Sequence, residues 1–355
     1  MAENMPLDIE SVLSEARSRD ASDIHLVAGE PPILRVHTQL LRMNSAPVSE
    51  QELHALASSM LDDDQRDRFA TEQDVDLAWT SGDARYRVNA HWQSGTPAFA
   101  LRSVRTTVPA LADLGLPEAI GPLADLPRGL ILVTGDTGSG KSTTLAAMID
   151  RINREQSRHI ITLEDPVEYT FCSDRCLIEQ RELGRDMPSF ASGLRHALRQ
   201  DPDVILVGEM RDLETTSLAI SAAETGHLVL STLHTVNAAQ TVERIVDMYP
   251  STQQGQVRSM LADTLRAVLS QTLLPRNGGG MAAAVEVLLC DSAVRNIIRE
   301  SRTFEIPNVI ETGGRKGMVS RDAAIAMLVL NGVVEEEAAT AAAHDPTRLT
   351  RNLAA

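Results

Sequence analysis

Cysteine is nearly absent from this sequence. Cys172, Cys176 and Cys290 are the three in 355 residues, too few for a disulfide framework and in keeping with a reducing cytoplasm. Cys172 and Cys176 form one C-x₃-C with no second pair at ligand spacing, which argues against structural zinc. No apolar run approaches the roughly 18 residues a membrane helix needs. The opening stretch MAENMPLDIE lacks a cationic segment followed by an apolar core, so no secretory signal is expected. Lysine is scarcer still: of 33 basic residues only Lys141 and Lys316 are lysine. Basic charge as a whole is outnumbered by 49 acidic residues, for a net charge of −16. A field of that sign disfavours a nucleic-acid backbone, and no nucleic-acid partner is expected. No internal repeat is visible.

The length exceeds what one core usually supports, roughly 250–300 residues, and favours two domains. Residues 1–105 read as a small α/β domain. Leu7, Ile9, Val12, Leu13 and Ala16 recur at helical spacing, residues 23–26 and 33–36 are extended, and 52–60 is again helical. Val75, Leu77 and Trp79 alternate with polar neighbours, as do Tyr86, Val88 and Ala90, whose strand turns Arg85, Arg87, Asn89 and His91 to its other face. Arg102 points away from Phe99 and Leu101 in a further strand. Residues 106–128, broken by Pro109, Pro117, Pro122 and Pro127, read as a linker or hinge. Within 129–280, four apolar runs, 130–133, 160–163, 204–207 and 228–230, alternate with helical segments such as 142–153 and 214–223. That pattern indicates an α/β fold with a parallel sheet covered on both faces, which binds ligands at the carboxyl ends of its strands. Val257, Met260, Leu261, Leu265, Val268 and Leu269 predict one amphipathic helix, Asn277 to Gly280 a turn, and 281–355 a mainly helical region.

Gly135-Asp136-Thr137-Gly138-Ser139-Gly140-Lys141-Ser142 fits G-x-x-x-x-G-K-[ST] and, with Thr143, lies between an apolar strand and a helix. In such a loop backbone N–H groups converge on phosphate, the lysine reaches the β- and γ-phosphates, and the hydroxyl at position 142 ligates Mg²⁺. ATP and Mg²⁺ are therefore the expected cofactors. In a chain that otherwise uses arginine, a lysine at 141 is itself a signal. Glu209 ends the run 204–207, where it can hold Mg²⁺ through water or polarise an attacking water. Glu164 and Asp165 end another run, as a second metal-side carboxylate or as caps of the next turn. His227 and His234 flank the fourth run. A histidine there can sense a γ-phosphate, and their spacing gives no metal-chelate signature. For Arg85, Arg87 and Arg102 two readings stand, a solvated sheet face and completion of another subunit's nucleotide site.

Together these segments resemble the type IV pilus and type II secretion ATPases, most closely the PilT family of pilus-retraction motors. Residues 22–26 (SDIHL) look like the family's N-terminal signature, 161–169 (ITLEDPVEY) its Asp box, 201–212 (DPDVILVGEMRD) its Walker B and 223–235 (AETGHLVLSTLHT) its His box. Residues 293–300 (AVRNIIRE) are similar to a C-terminal motif of the retraction branch. The resemblance implies a PAS-like N-terminal domain joined to a RecA-like P-loop ATPase core in a homo-hexameric ring. It implies Glu209 as catalytic carboxylate, with Glu164, His227 and His234 lining the site and Arg85, Arg87 and Arg102 acting across a subunit interface. Rotation about the 106–128 linker would then drive an inner-membrane platform protein at the pilus base, withdrawing pilin and powering twitching motility. A paralogous retraction ATPase is a further partner. Such a chain would be cytoplasmic and peripherally attached to the inner membrane.

Two alternatives stay open: an assembly or secretion motor, which usually carries a long N-terminal extension and a paired-CxxC insert, and an accessory subunit docked on an active paralogue. Departures from the family pattern are Asp136 in place of a proline, which implies slower turnover, the absence of an Asp-Gly or Asn-Gly turn at 35–38, and an unusual continuation over 319–324.

Overall fold

The computed structural model describes residues 7–19, 21–36, 39–82, 84–104 and 107–354. They form two compact units that divide between Thr107 and Val108. Arg105, the last residue of the expected first domain, Thr106, the first of the expected linker, and the turn positions His37 and Thr38 lie outside the described residues.

Unit 1 contains α1 (Ile9–Ser18), β1 (Asp23–Leu26), β2 (Ile33–Val36), β3 (Gln39–Arg42), α2 (Glu50–Met60), α3 (Asp63–Glu72), β4 (Asp74–Ser81), β5 (Ala84–Gln93) and β6 (Thr96–Val104). The strands make an antiparallel sheet of order β3-β2-β1-β6-β5-β4. One face buries Ile24, Leu26, Val88 and Leu101 against Val12, Leu13, Leu53 and Leu56 of the helices. Alternation along β5 turns Arg87 out. Helix α2 starts at a capping box, with Ser49 accepting from the Glu52 N–H and Glu52 accepting from the Ser49 N–H.

Unit 2 begins with two 3₁₀ turns, Leu111–Leu114 and Glu118–Asp125. It continues through β7 (Gly129–Thr134), α4 (Lys141–Glu155), β8 (His159–Glu164), β9 (Leu177–Glu182), α5 (Phe190–Ala197), β10 (Val204–Val207), α6 (Leu213–Glu224), β11 (Leu228–Leu233), α7 (Ala238–Asp247), α8 (Ser251–Thr264), β12 (Leu265–Pro275) and β13 (Met281–Leu289). Helices α9 (Ser292–Arg299), α10 (Ile306–Thr312), α11 (Arg321–Leu330), α12 (Glu336–Ala342) and α13 (Pro346–Leu353) follow. The sheet order is β13-β12-β7-β11-β10-β8-β9. Its pairings are parallel except for the β12–β13 hairpin.

Successive strand residues enter two separate cores, as a doubly covered sheet requires. Leu130, Leu132, Ile205 and Val207 join α5 to α9, whereas Ile131, Val133, Val204 and Leu206 join α4 and the second 3₁₀ turn. Each side chain so buried contributes about 1.5–3 kcal/mol, so the sheet is the rigid platform for whatever its strand ends carry.

Two expectations are corrected here, and the mainly helical region after 280 gains an opening strand. The proline-rich 106–128 stretch is not a free connector. From Val108 it belongs to unit 2, and Ile120, Leu123 and Ala124 are buried in its core. The helix expected to run through 269 stops at Thr264, because Leu265, Ala267, Val268 and Leu269, all buried, pair with β7 as a strand. The region after 280 opens with β13, whose hairpin with β12 extends the sheet through the Asn277–Gly280 turn before the helices begin.

Candidate active site

Parallel strands of one sheet end on one edge, so β7, β8, β10 and β11 deliver Gly135, Glu164, Glu209 and His234 to the same side. The loop after β7 starts on the Gly135 N–H, which donates to the Leu233 carbonyl at 3.3 Å. Gly135 sits at φ +138°, and a Cβ there would fall 2.3 Å from the Gln271 carbonyl oxygen. Only glycine fits. Gly138 (φ +81°) and Gly140 (φ +88°) complete a left-handed path that leaves Asp136 and Thr137 exposed and turns Ser139 inward.

Lys141 is the first residue of α4 and is buried. Its Nζ donates to the carbonyls of Gly135 at 2.7 Å and Asp136 at 2.8 Å. Burial lowers its pKa, against the opposing charges of Glu209, Asp136 and Glu168. Helix α4 has no side-chain cap, whereas Asp212 caps α6 and Asn237 caps α7. Its first-turn N–H groups, with the positive end of the helix dipole, are thus left for an anion. Ser142 lies in that first turn. Thr143 is committed elsewhere, its Oγ1 lying 2.9 Å from the Tyr169 hydroxyl.

Glu209 is placed by the end of β11. Ser231 Oγ donates to the Val207 carbonyl at 2.7 Å and Thr232 Oγ1 to the Gly208 carbonyl at 2.6 Å. The Met210 N–H donates to the Thr232 carbonyl at 3.2 Å. Glu209 Oε1 lies 3.3 Å from His234 Nε2, and its Oε2 lies 2.7 Å from Arg211 Nε. Gly208 runs against β8, where a side chain would press on the Leu163 carbonyl at 3.1 Å. Glu164 is half-buried, accepting from Thr162 Oγ1 at 2.6 Å and Gln180 Nε2 at 3.2 Å. Burial raises its pKa, and the bonds from Thr162 and Gln180 oppose that shift. Oxygen donors of this kind, a first-turn hydroxyl and carboxylates, suit Mg²⁺ held largely by nucleotide phosphates and water.

His227 does not join this constellation. It precedes β11, and its carbonyl accepts the Gly129 N–H at the opposite edge of the sheet. Its Nδ1 donates to the Ala222 carbonyl at 2.9 Å. The strand between His227 and His234 spans about 20 Å at roughly 3.3 Å per residue. Arg85, Arg87 and Arg102 belong to unit 1, while the site is built from unit 2. There the register places Arg102 opposite Asp23 on one side and Arg87 on the other, and Arg102 Nε pairs with Asp23 at 2.8 Å.

Four contributors went unrecognised in the sequence: Arg211, Tyr169, Gln180 and Gln271. Arg211 and Tyr169 lie inside the 201–212 and 161–169 segments. Gln180 and Gln271 sit on strands with no loop motif, and Gln271 Nε2 donates to the Ser139 carbonyl at 3.4 Å.

A glycine loop with a buried lysine, feeding an uncapped helix beside a strand-end glutamate, defines a P-loop nucleotide hydrolase of the RecA-like kind. The family model for Type II/IV secretion system protein matches residues 2–339. The chain is 45% identical over 341 residues to the type IV pilus retraction ATPase PilT of Pseudomonas aeruginosa, covering 96% of this chain and 99% of that protein. It is 47% identical over 310 residues to a twitching motility protein of Neisseria gonorrhoeae, covering 87% and 83%. The crystal structure of the pilus retraction motor PilT with bound ADP matches with a TM-score of 0.91 at 43% identity, covering 97% of this chain and 99% of that one. The chain belongs to the type II/IV secretion system protein family.

Proposed function

We propose that this chain is the ATPase motor of type IV pilus retraction, converting ATP hydrolysis into pilin withdrawal and twitching motility. Its near full-length likeness to PilT supports the retraction reading. The observation that carries the chemistry is the meeting of the Lys141 loop with the Glu209–His234 pair on adjacent strands.

Bound ATP and Mg²⁺ supply the phosphoanhydride and neutralise its charge. Lys141 and the first-turn N–H groups of α4 hold the phosphates, the Ser142 hydroxyl serves the ion, and Glu209 serves it through water. Glu209 also accepts the proton of the attacking water, and His234 orients that carboxylate. Glu164 adds a second carboxylate beside the ion. The chain works as a homo-hexamer in which Arg85, Arg87 and Arg102 serve a neighbouring subunit's nucleotide. It acts in the cytoplasm at the pilus base, peripheral to the inner membrane, on a platform protein and alongside a paralogous retraction ATPase. No helix among the described residues is long and apolar enough to cross a membrane.

The test is turnover of Mg²⁺-ATP by the purified full chain. Lys141→Ala abolishes it on this reading. Undiminished turnover by Lys141→Ala would overturn the assignment.

A further inference from the structure

Glu286 is a carboxylate placed in a sheet. It lies on β13, between Val285 and Val287 of the core and opposite Ser270 of β12. Its burial pushes the pKa up, against the attraction of Arg321 and His344. An apolar side chain would suit the strand better, since an enclosed carboxylate is costly without strong partners. The partner it has is the first N–H of α7: the Ala238 N–H donates to Glu286 Oε1 at 2.9 Å. That is where the positive end of the helix dipole favours an anion.

The turn so held leads straight to the site. Asn237 Oδ1 accepts the Gln240 N–H at 2.8 Å, and Thr241 Oγ1 donates to the Asn237 carbonyl at 2.7 Å. Thr241 has thereby used its one hydroxyl proton, so Thr235 Oγ1, 2.7 Å away, is the donor between them. Thr235 follows His234, whose Nε2 meets Glu209. Glu286 also lines a cavity with Val236 and Asn237 of that turn and with Arg321, Asp322 and His344. Asp322 is buried and accepts the His344 and Asp345 N–H groups between α12 and α13.

We propose that Glu286 is a positioning residue for His234: by holding the N-terminus of α7 it fixes the 234–238 turn on which His234 meets Glu209, at the junction with the C-terminal helices. The inference rests on the reading that Glu209 and His234 carry hydrolysis.

The test is steady-state ATP turnover by the full chain for Glu286→Ala, Glu286→Gln and Thr241→Val, each in the wild-type and the His234→Ala background. Glu286→Ala lowers kcat about tenfold with KM for ATP unchanged, the scale of a displaced catalytic group. Glu286→Gln keeps an acceptor oxygen and restores most of the loss. Neither Glu286→Ala nor Thr241→Val has a further effect once His234 is alanine, because both act through it. Thr241→Val severs the next link of the same turn, to Thr235 and the Asn237 carbonyl, by an isosteric change, so the proposal stays testable if Glu286→Ala does not fold. Equal losses in both backgrounds, wild-type kcat in Glu286→Ala and Thr241→Val, or a loss that Glu286→Gln does not relieve would each overturn it. If His234→Ala alone leaves kcat unchanged, the reading of the site itself fails and takes the proposal with it.

Discussion

Arg211 Nε and Glu209 Oε2 form an ion pair at 2.7 Å across a single intervening residue. With His234 on Oε1, both oxygens of this glutamate, two residues past β10, are engaged within one chain. Arg211 is two-thirds exposed and Glu209 is 18% exposed, so the pair faces solvent on one side only. An exposed pair is worth about 0.2–1 kcal/mol, and it opens readily. While closed, it lowers the basicity of the Glu209 carboxylate, so opening favours acceptance of a proton from water.

Arg211→Gln should therefore raise basal kcat by up to about fivefold, the rate equivalent of losing such a pair. KM for ATP and the melting temperature should not move. Single-subunit-site turnover under saturating ATP checks this, and a fall in kcat would instead assign Arg211 to the reacting phosphate.

The raised pKa of Glu164 gives a pH signature. Its carboxyl is enclosed and protonates at a higher pH than an ordinary glutamate. If the ionised form serves the metal, kcat rises with pH through that raised value, so the acid limb lies above the usual carboxylate range. Glu164→Gln keeps an acceptor for Thr162 and should lower kcat by about 10²-fold or more while removing that limb. A pH–rate profile in which the limb persists in Glu164→Gln would assign it to another group.

How much of this was legible in the sequence depends on the kind of signal each part carries. The Gly135–Ser142 loop announced itself because its conformations need glycine at 135, 138 and 140, and the runs before Glu164 and Glu209 are short, apolar and flanked by helices. The direction of the strand before His234 also separates His227 from it, a conclusion available from strand polarity alone but overridden by grouping both histidines in one motif. β12 was hidden for a different reason. It follows α8 with no turn residue between Thr264 and Leu265, and its leucines continue the helical spacing of Val257 and Leu261. Its pairings settle it as a strand, with β7 more than a hundred positions earlier and with β13 across the Asn277–Gly280 turn. Gln180 and Gln271 act through the tertiary approach of their strands to the loops, which no local pattern records.

Stability at low pH should report on a pair away from the site. Arg258 is buried and donates two bonds to Glu243, at 3.2 Å from Nη1 and 2.8 Å from Nη2. The Arg258 bond lowers the Glu243 pKa, against partial burial and with help from Thr303. A depressed folded pKa contributes stability that is present above the unfolded value, about 4.3, and lost as pH falls through the lower folded one. Glu243→Gln should cost about 1–3 kcal/mol at pH 7 by leaving the arginine charge without its carboxylate. The difference from wild type should narrow as pH drops below the ordinary carboxylate range. Denaturant melts at neutral and acidic pH check this, and a gap that does not narrow would contradict it.

The account's central claim is that hydrolysis at Glu209 drives pilus withdrawal, and the source organism tests it most directly. Delete the gene, restore it as wild type or as Glu209→Gln, then count surface pili and score surface motility. The account predicts excess pili with lost motility, rescued by the wild-type gene and not by Glu209→Gln. A bald surface would contradict the retraction reading and indicate assembly, and rescue by Glu209→Gln would contradict the claim that this residue powers the machine.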